Sequence, residues 1–489
     1  MDSSTFSDKL IDFPYEHYKN TWDEMFEPNN RIKPSYRFLY NFLSKQSVSE
    51  INKLKEFSLK FFMNQGITFN VYSDEQSIEK IFPFDIIPRI IMNKDWEIIE
   101  KGIIQRITAL NLFLKDIYNE QFIIKDKVFP IELVANNPYF LNQMRGFKPP
   151  KDIYTHISGV DIIRNNKGDF YVLEDNLRTP SGVCYMLENR QISRRLYPSI
   201  MPKKKIKDVS NYPQILYQQL ASLSNKKNPT IVLLTPGLYN SAYYEHSTLA
   251  RLMGVELVEG RDLLMDNNKV FMKTSKGLEK VDIIYRRVDD DFLDPISFNQ
   301  SSVLGVPGIL EAYKKRNVII TNAPGTGVAD DKASYIYVPQ IIKYYLNEEP
   351  ILKNIETYQL ENSEHFDYVK KNITNHVIKK TDGSGGYGML MGNSADDIEI
   401  EKYFYKIKKN PSNFIAQPIL NLSTSPCILN ESMEPRCVDF RPYAIYGAEG
   451  IKVCPGGLTR VALKKNSLVV NSSQGGGSKD TWVIWINVK

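Results

Sequence analysis

The sequence predicts an α/β (α+β) protein of several domains, and three observations carry that expectation. Two apolar runs fold back on each other within residues 159–176, a strand–helix–strand pattern occupies residues 229–258, and amphipathic helical stretches fill residues 1–150. At 489 residues the chain can bury more than one core, and length alone suggests about two to four domains. The hydrophobic share of 42% and charged share of 24% are ordinary globular values. A formal net charge of +5 spread over this length points to no polyanion, so Lys203-Lys204-Lys205 and Lys226-Lys227 read as solvated loop charge and no nucleic-acid partner is expected. Cys184, Cys427, Cys437 and Cys454 form no C-x-x-C pair, which predicts free thiols. Met1-Asp2-Ser3-Ser4 leads into charged sequence and no run approaches the roughly 18 apolar residues of a spanning helix, so a cytoplasmic protein without membrane association is expected.

In chain order, residues 1–150 read as a mainly helical region, with amphipathic stretches at 47–64 and 96–118 and no readable function. Residues 151–228 contain the fold-back. Its turn chemistry is Asn166-Lys167-Gly168, and a two-residue Lys167-Gly168 turn sets Asp161 opposite Glu174 with Asn176 on the same face. A turn at Asn166-Lys167 keeps all three on one face, whereas a three-residue loop would break the alignment. Three hard oxygen ligands suit Mg²⁺ completed by water and phosphate; solvated carboxylates on a surface hairpin fit the strands alone equally well. Residues 229–325 read as a Rossmann-like module: a strand from Pro229 to Gly237, a helix from Tyr243 to Met253, and a strand around Val255–Val258. Gly325-Thr326-Gly327 is too short to mark a dinucleotide site.

Residues 326–489 hold the remaining candidates. Lys332 follows Asp330-Asp331 at the start of a helical pattern, where a cation opposes the macrodipole and needs an anion nearby, Asp331 or another. Lys379 ends an apolar strand and opens Asp382-Gly383-Ser384-Gly385-Gly386-Tyr387-Gly388-Met389, whose four glycines can close backbone N–H groups over an anion or serve as a connector. It is not a P-loop, because no Gly-Lys-Ser/Thr follows. The strand Phe414-Ile415-Ala416-Gln417-Pro418-Ile419 can line an adenine pocket through Gln417 and its neighbours, or simply end in the interior. In Val438-Asp439-Phe440-Arg441, period two sets Asp439 and Arg441 on one side, and Arg460 adds a guanidinium suited to planar oxyanions. His17, His156, His246, His365 and His376 share no metal spacing, and Cys184 with His156 has only chain proximity behind it as a nucleophile pair.

Together these stretches resemble the ATP-grasp superfamily: "DK" opening a helix, "VIKKTDGSGGYGM" for the lysine strand and glycine-rich lid, "IAQPI" for the hinge, "VDFRPYAIYG", and "GVDIIRNNKGDFYVLEDN" for the metal strands. The metal strands precede the lysine strand here, the reverse of the usual order. The chain therefore resembles, over roughly residues 80–489, the family known as circularly permuted ATP-grasp type 2, through "GVDIIRNNKGDFYVLEDNLRTPSGVCYMLENR", "VDIIYRRVDDDFLDP", "NAPGTGVADDKASY", "KKTDGSGGYGM" and "PGGLTRVALKKNSLVVNSSQGGGSKDTWV". The resemblance implies a permuted ATP-grasp segment at 151–228, a Rossmann-like pre-ATP-grasp module at 229–325 and nucleotide-binding lobes at 326–489. It implies ATP and Mg²⁺ as cofactors and an acyl-phosphate ligase joining a small carboxylate to an amine, peptides among them, as in glutathionylspermidine synthase-like ligases. Lys332, Lys379, Gly383, Ser384, Gly385, Gly386 and Gln417 then serve ATP; Asp161, Glu174 and Asn176 hold metal; Arg441, with Arg178 or Arg460, stabilises the transferring phosphoryl group. A non-catalytic ATP-binding scaffold and a phosphotransferase are the alternatives. Asp175 stands where many superfamily members carry an uncharged residue, leaving one metal or two; Lys380 stands where proline often follows the strand lysine, so Lys379 and Lys380 both remain candidates. Arg286, Arg287, Asp289, Ser472, Ser473, Gln474 and Lys479 are substrate-pocket or structural residues.

Overall fold

A computed structural model describes residues 15–73, 76–201, 205–381, 389–429, 432–465, 467, 470 and 476–485. At its centre is a ten-stranded mixed sheet assembled from distant parts of the chain. Along the main path run Lys353–Asn354, Phe170–Asn176, Ile157–Arg164, Ser432–Arg441, Leu458–Val461, Gly477–Ile484 and Phe84–Met92. Thr424–Leu429 pairs with Ser432–Arg441, and the hairpin of Tyr443–Gly447 and Gly450–Val453 pairs with Ile157–Arg164. Phe440 lies opposite Ile162 and Tyr443 opposite Gly159, so the fold-back near position 160 and the arginine strand near position 440 are neighbours in one sheet.

The helix Val48–Asn64 starts where Ser47 allows it: the Ser47 hydroxyl accepts from the Glu50 N–H while the Glu50 carboxylate accepts from the Ser47 N–H. The helix Asn93–Tyr118 buries Trp96, Ile99, Ile103, Ile107, Leu110, Leu114 and Ile117 at three- and four-residue spacing, in one core with Ile162, Val172 and Phe440. Residues 1–150 are not helical throughout. Thr68–Ser73 pairs with Gln76–Ile81, and Phe84–Met92 closes one end of the large sheet, parallel to Gly477–Ile484. Pro88 conceals that strand from pattern reading. The register shifts between Lys479 and Thr481, the partners of Asp85 and Arg89, and the proline falls within that irregularity, where no ladder N–H is required of it.

The expected strand, helix and strand of residues 229–258 are present as Ile231–Leu234, Tyr243–Met253 and Glu256–Val258. They belong to a four-stranded parallel sheet in the order Ile319–Thr321, Ile283–Arg286, Ile231–Leu234, Glu256–Val258. Gly254 ends the helix with φ +69, a conformation open to glycine. Chain connections diverge from the two central strands, so the crevice beyond the carboxyl ends of Ile231–Leu234 and Ile283–Arg286 is a topological switch point. A smaller antiparallel sheet contains Tyr358–Gln359, Phe414–Pro418, His376–Lys380 and Leu390–Met391. One of its faces carries Ile378, Leu390 and Ala416 into a core with Val369, Phe404 and Ile407 of two flanking helices. Alternation leaves Lys379, Ile415 and Gln417 on the other face. All four cysteines are buried and free, and among the described residues no helix is long and apolar enough to cross a membrane.

Candidate functional site

The fold-back at residues 157–176 reaches the expected facing by a different route. Its loop has three residues, Asn166-Lys167-Gly168, with Gly168 at φ +89 and the Asn165 side chain accepting from the N–H groups of Lys167 and Asp169. That loop alone would displace Asp161 from Glu174. The extra residue is absorbed by a bulge at Leu173: Ile162 pairs with Val172, yet Asp161 pairs with Glu174, Val160 with Asp175 and Gly159 with Asn176. Asp175 points to the opposite face, where Arg106 clamps both its oxygens at 2.7 Å, so it takes no part in the Glu174 side of the sheet.

Asp161 is fully buried and is held by two arginines. Arg441 donates from Nε to Oδ1 and from Nη2 to Oδ2, the latter at 2.7 Å, while Arg460 Nη2 donates to Oδ2 at 2.7 Å. Arg460 also grips Asp439, with Nε at 2.8 and 3.0 Å from its two oxygens. Asp439 and Arg441 therefore share the face that period two assigns them, and that face is packed rather than solvated. Burial alone would raise the Asp161 carboxyl, but Arg441 and Arg460 outweigh it and hold the group well below the usual carboxylate range. Glu174 is more open, its side chain 30% exposed, with Lys332 Nζ at 3.7 Å and Arg441 Nη2 at 3.9 Å. Burial and the neighbouring Asp161 charge push its carboxyl upward against those cations.

Lys332 thus leans toward Glu174. Asp331 is engaged elsewhere, its side chain capping the short helix Lys332–Tyr335 by accepting from the Ala333 N–H. The Lys332 N–H donates to the carbonyl of Thr381, at the end of the lysine strand, at 3.3 Å. That contact brings the small sheet against the charged face of the large one. Between the two candidates on that strand, Lys380 is exposed on the side away from Gln417, whereas Lys379 Nζ donates to Gln417 Oε1 at 2.8 Å. Gln417 is fixed in turn by donating to Thr357 Oγ1 at 2.9 Å. Burial lowers the Lys379 ammonium to about 8, with Glu174 opposing and Lys332 adding to the shift. Beyond the end of the strand Phe414–Pro418 lies a cavity of about 330 Å³ bordered by Tyr171, Ile355, Glu356, Pro418, Ile419 and Asn421. On the same face as Asp161, Ile163, Cys437 and Ala462 join Leu420 and Leu422 in an apolar cluster, so the charged end of the sheet grades into an apolar one.

Other candidates are positioned differently. Arg178 does not join Asp161; its Nη2 meets Asp330 Oδ1 at 3.3 Å and its guanidinium lies over the Tyr139 ring at 4.3 Å. Lys479 is wholly buried, donating to Asp85 and to the carbonyls of Ile87 and Pro426, which makes it a structural cation. Arg286 is tied to the carbonyls of Asn322, Val288 and Ala323, and Arg287 to Glu245 and the carbonyl of Pro180. His156 Nδ1 faces the carbonyl of Tyr446, and Cys184 Sγ the carbonyl of Glu245, so neither points to the other as a nucleophile pair. Gly383, Ser384, Gly385, Gly386, Ser472, Ser473 and Gln474 lie outside the described residues. Thr357 and Asn322 are site-forming residues that sequence reasoning missed; the Asn322 amide ties the parallel sheet to the fold-back through His156, Ile157, Leu177 and Arg178. Neither carries a local signal, since each acts on partners far away in sequence.

Among the described residues no three His, Cys, Asp or Glu side chains are grouped to hold a metal ion by themselves. The donor chemistry suits a cation shared with phosphate. Glu174 is loosely paired and Asn176, on the same face, spends its Nδ2 on the Gly159 carbonyl at 3.2 Å, which leaves its Oδ1 as an acceptor. Asp161 fits that part less well, because guanidinium groups occupy both its oxygens.

The chain is 48% identical over 467 residues to an uncharacterized protein of Synechocystis sp., spanning 95% of this chain and 97% of that one. It is 45% identical over 469 residues to an uncharacterized protein of Mycobacterium tuberculosis, covering 96% and 84%. A Frankia casuarinae protein provisionally named glutamate–cysteine ligase 2-2 is 36% identical over 482 residues, which span 98% of this chain but 55% of that longer protein. In fold, the chain is similar to a glutathione synthetase-like effector from Globodera pallida in its apo form, with a TM-score of 0.57, 10% identity, and coverage of 90% of this chain and 98% of that one. The family model for circularly permuted ATP-grasp type 2 matches residues 88–462, a span that holds both the fold-back and the lysine strand, and the chain belongs to that family.

Proposed function

We propose that the protein is an ATP-dependent ligase that joins a carboxylate to an amine through an acyl phosphate. The observation that carries this reading is the meeting of two sheets, with Lys379 and Gln417 on the smaller, the Asp161–Arg441–Arg460 cluster and Glu174 on the larger, and Lys332 reaching toward Glu174 from the short helix Lys332–Tyr335. Half-buried cations facing a loosely held carboxylate suit a polyanion that arrives with a divalent cation. Lys379 and Lys332 would neutralise phosphate oxygens. The end of Phe414–Pro418 and the cavity beside it would take the base, and a cavity of this size is of the order expected for a small-molecule site. Glu174 and Asn176 would hold Mg²⁺, which supplies charge neutralisation on the phosphates when bound. Asp161 keeps Arg441 and Arg460 in place, and the two guanidiniums would face charge developing on the phosphoryl group. The four-stranded parallel sheet fits the role of the Rossmann-like module before the grasp lobes. The relative named for glutamate–cysteine ligation and the glutathione synthetase-like fold favour amide formation over phosphate transfer.

The test is ADP release by the full chain across a panel of acids and amines. Wild type should release ADP only when both an acid and an amine are present, and Glu174→Gln should reduce that rate at least a hundredfold while ATP binding without metal persists. Tight ATP binding with no turnover across the panel would instead establish the scaffold alternative.

A further inference from the structure

We infer that Arg178, Asp289 and Tyr139 form a recognition subsite for a zwitterionic α-amino-acid head group, its carboxylate on Arg178 and its ammonium on Asp289. The inference rests on the ligase reading and names the substrate class of the same site. Arg178 lies two residues beyond Asn176, on the segment leaving the fold-back. The Asp330 carboxylate fixes that segment, Oδ2 accepting from the N–H groups of Leu177 at 2.7 Å and Arg178 at 3.2 Å. The guanidinium is oriented by the Tyr139 ring, and Gly327 permits the stack, since a Cβ there would fall 2.9 Å from Arg178 Cδ and 2.7 Å from Tyr139 Cβ. The contrast with Arg106 is informative. Arg106 closes on Asp175 through two contacts of 2.7 Å in the interior, whereas Arg178 touches Asp330 through one contact of 3.3 Å with 23% of its side chain exposed. An arginine held in this way keeps capacity for a second planar oxyanion.

Asp289 supplies the opposite charge. It follows the strand Ile283–Arg286 at the switch point of the parallel sheet, where open α/β sheets take ligands. Its carboxylate is exposed and accepts from Thr179 Oγ1 at 3.4 Å, which joins it to the residue next to Arg178. One cation and one anion are thereby anchored on consecutive residues of the same segment. A simple anion would meet repulsion from Asp289 and Asp330, and a simple cation would meet Arg178; a group bearing both charges on one carbon satisfies both. Arg441 and Arg460 are tied to Asp161 beside the phosphoryl site, whereas Arg178, with 23% of its side chain exposed, has room for a substrate carboxylate.

Calorimetry on the full chain with Mg²⁺ and a non-hydrolysable ATP analogue tests this, using the twenty proteinogenic L-amino acids and the α-amide and des-amino analogue of each that binds. At least one amino acid should bind, and each analogue should bind at least tenfold more weakly. Asp289→Asn should erase the discrimination against the des-amino analogue, Arg178→Met that against the amide, and Asp289→Asn should bind the ATP analogue as wild type does. Binding of no amino acid by a wild type that still binds the nucleotide, or wild-type discrimination in both variants, overturns the subsite alone. A wild type that fails to bind the nucleotide overturns the ligase reading instead.

Discussion

Asp161 serves two guanidiniums at once, and its removal should reveal which of the site's charges are structural. Asp161→Asn leaves Arg441 and Arg460 buried side by side without their common counter-ion, so a loss of about 3–5 kcal/mol in urea unfolding is expected. Glu174, partly exposed and with Lys332 and Arg441 no nearer than 3.7 Å, should tolerate Gln with little change in stability; equal losses at the two positions would refute the distinction. Lys379 makes a pH prediction. Its ammonium is lowered by burial to about 8 from 10.5, so the unfolded chain holds more protons than the folded one between those values, and the lysine's contribution to stability improves as pH rises across that window. Nucleotide binding runs the other way. A bound polyphosphate favours the charged lysine, so affinity should fall as pH rises through about 8, with proton uptake visible as a buffer-dependent heat of binding. Lys379→Met should weaken binding by about 1.5–3 kcal/mol and remove that uptake; binding and proton uptake unchanged in the variant would exclude Lys379 from the phosphate site.

Ser47 offers a clean test on a single helix: both halves of its capping box are present, and Ser47→Ala should cost about 1 kcal/mol in thermal or urea unfolding. The strands show where sequence reading succeeds and fails. Face assignments held wherever alternation governs: Asp161 with Glu174 and Asn176, Asp439 with Arg441. Turn length did not hold. The loop has three residues rather than two, and the facing survives only through the bulge at Leu173, which no local rule announces. Phe84–Met92 escaped for a related reason, because Pro88 and Asp85 break the apolar pattern while a register shift accommodates them. The Arg106 clamp on Asp175, the Thr357 brace on Gln417 and the single contact from Arg178 to Asp330 join residues separated by tens to hundreds of positions, so no periodicity could have disclosed them.

Asn322 joins the parallel sheet to the rest of the molecule. Its carbonyl accepts from the N–H groups of His156 and Ile157, and its amide donates to the carbonyls of Ile157, Leu177 and Arg178. Asn322→Ala leaves several of these buried groups without partners, and a loss of about 3 kcal/mol or more is expected. Amide exchange should accelerate at His156 and Ile157 in particular; uniform acceleration across the parallel sheet would mean that Asn322 serves its own module instead. The order of the large sheet has a further consequence, for the timing of synthesis. Gly477–Ile484 follows every other described strand in the chain, yet it lies inside the sheet, between Leu458–Val461 and Phe84–Met92. The early strand Phe84–Met92 must therefore wait without its sheet partner until the ribosome has passed position 484. Through most of translation the nascent chain carries an open apolar edge of the kind that recruits chaperones or sticks to its neighbours.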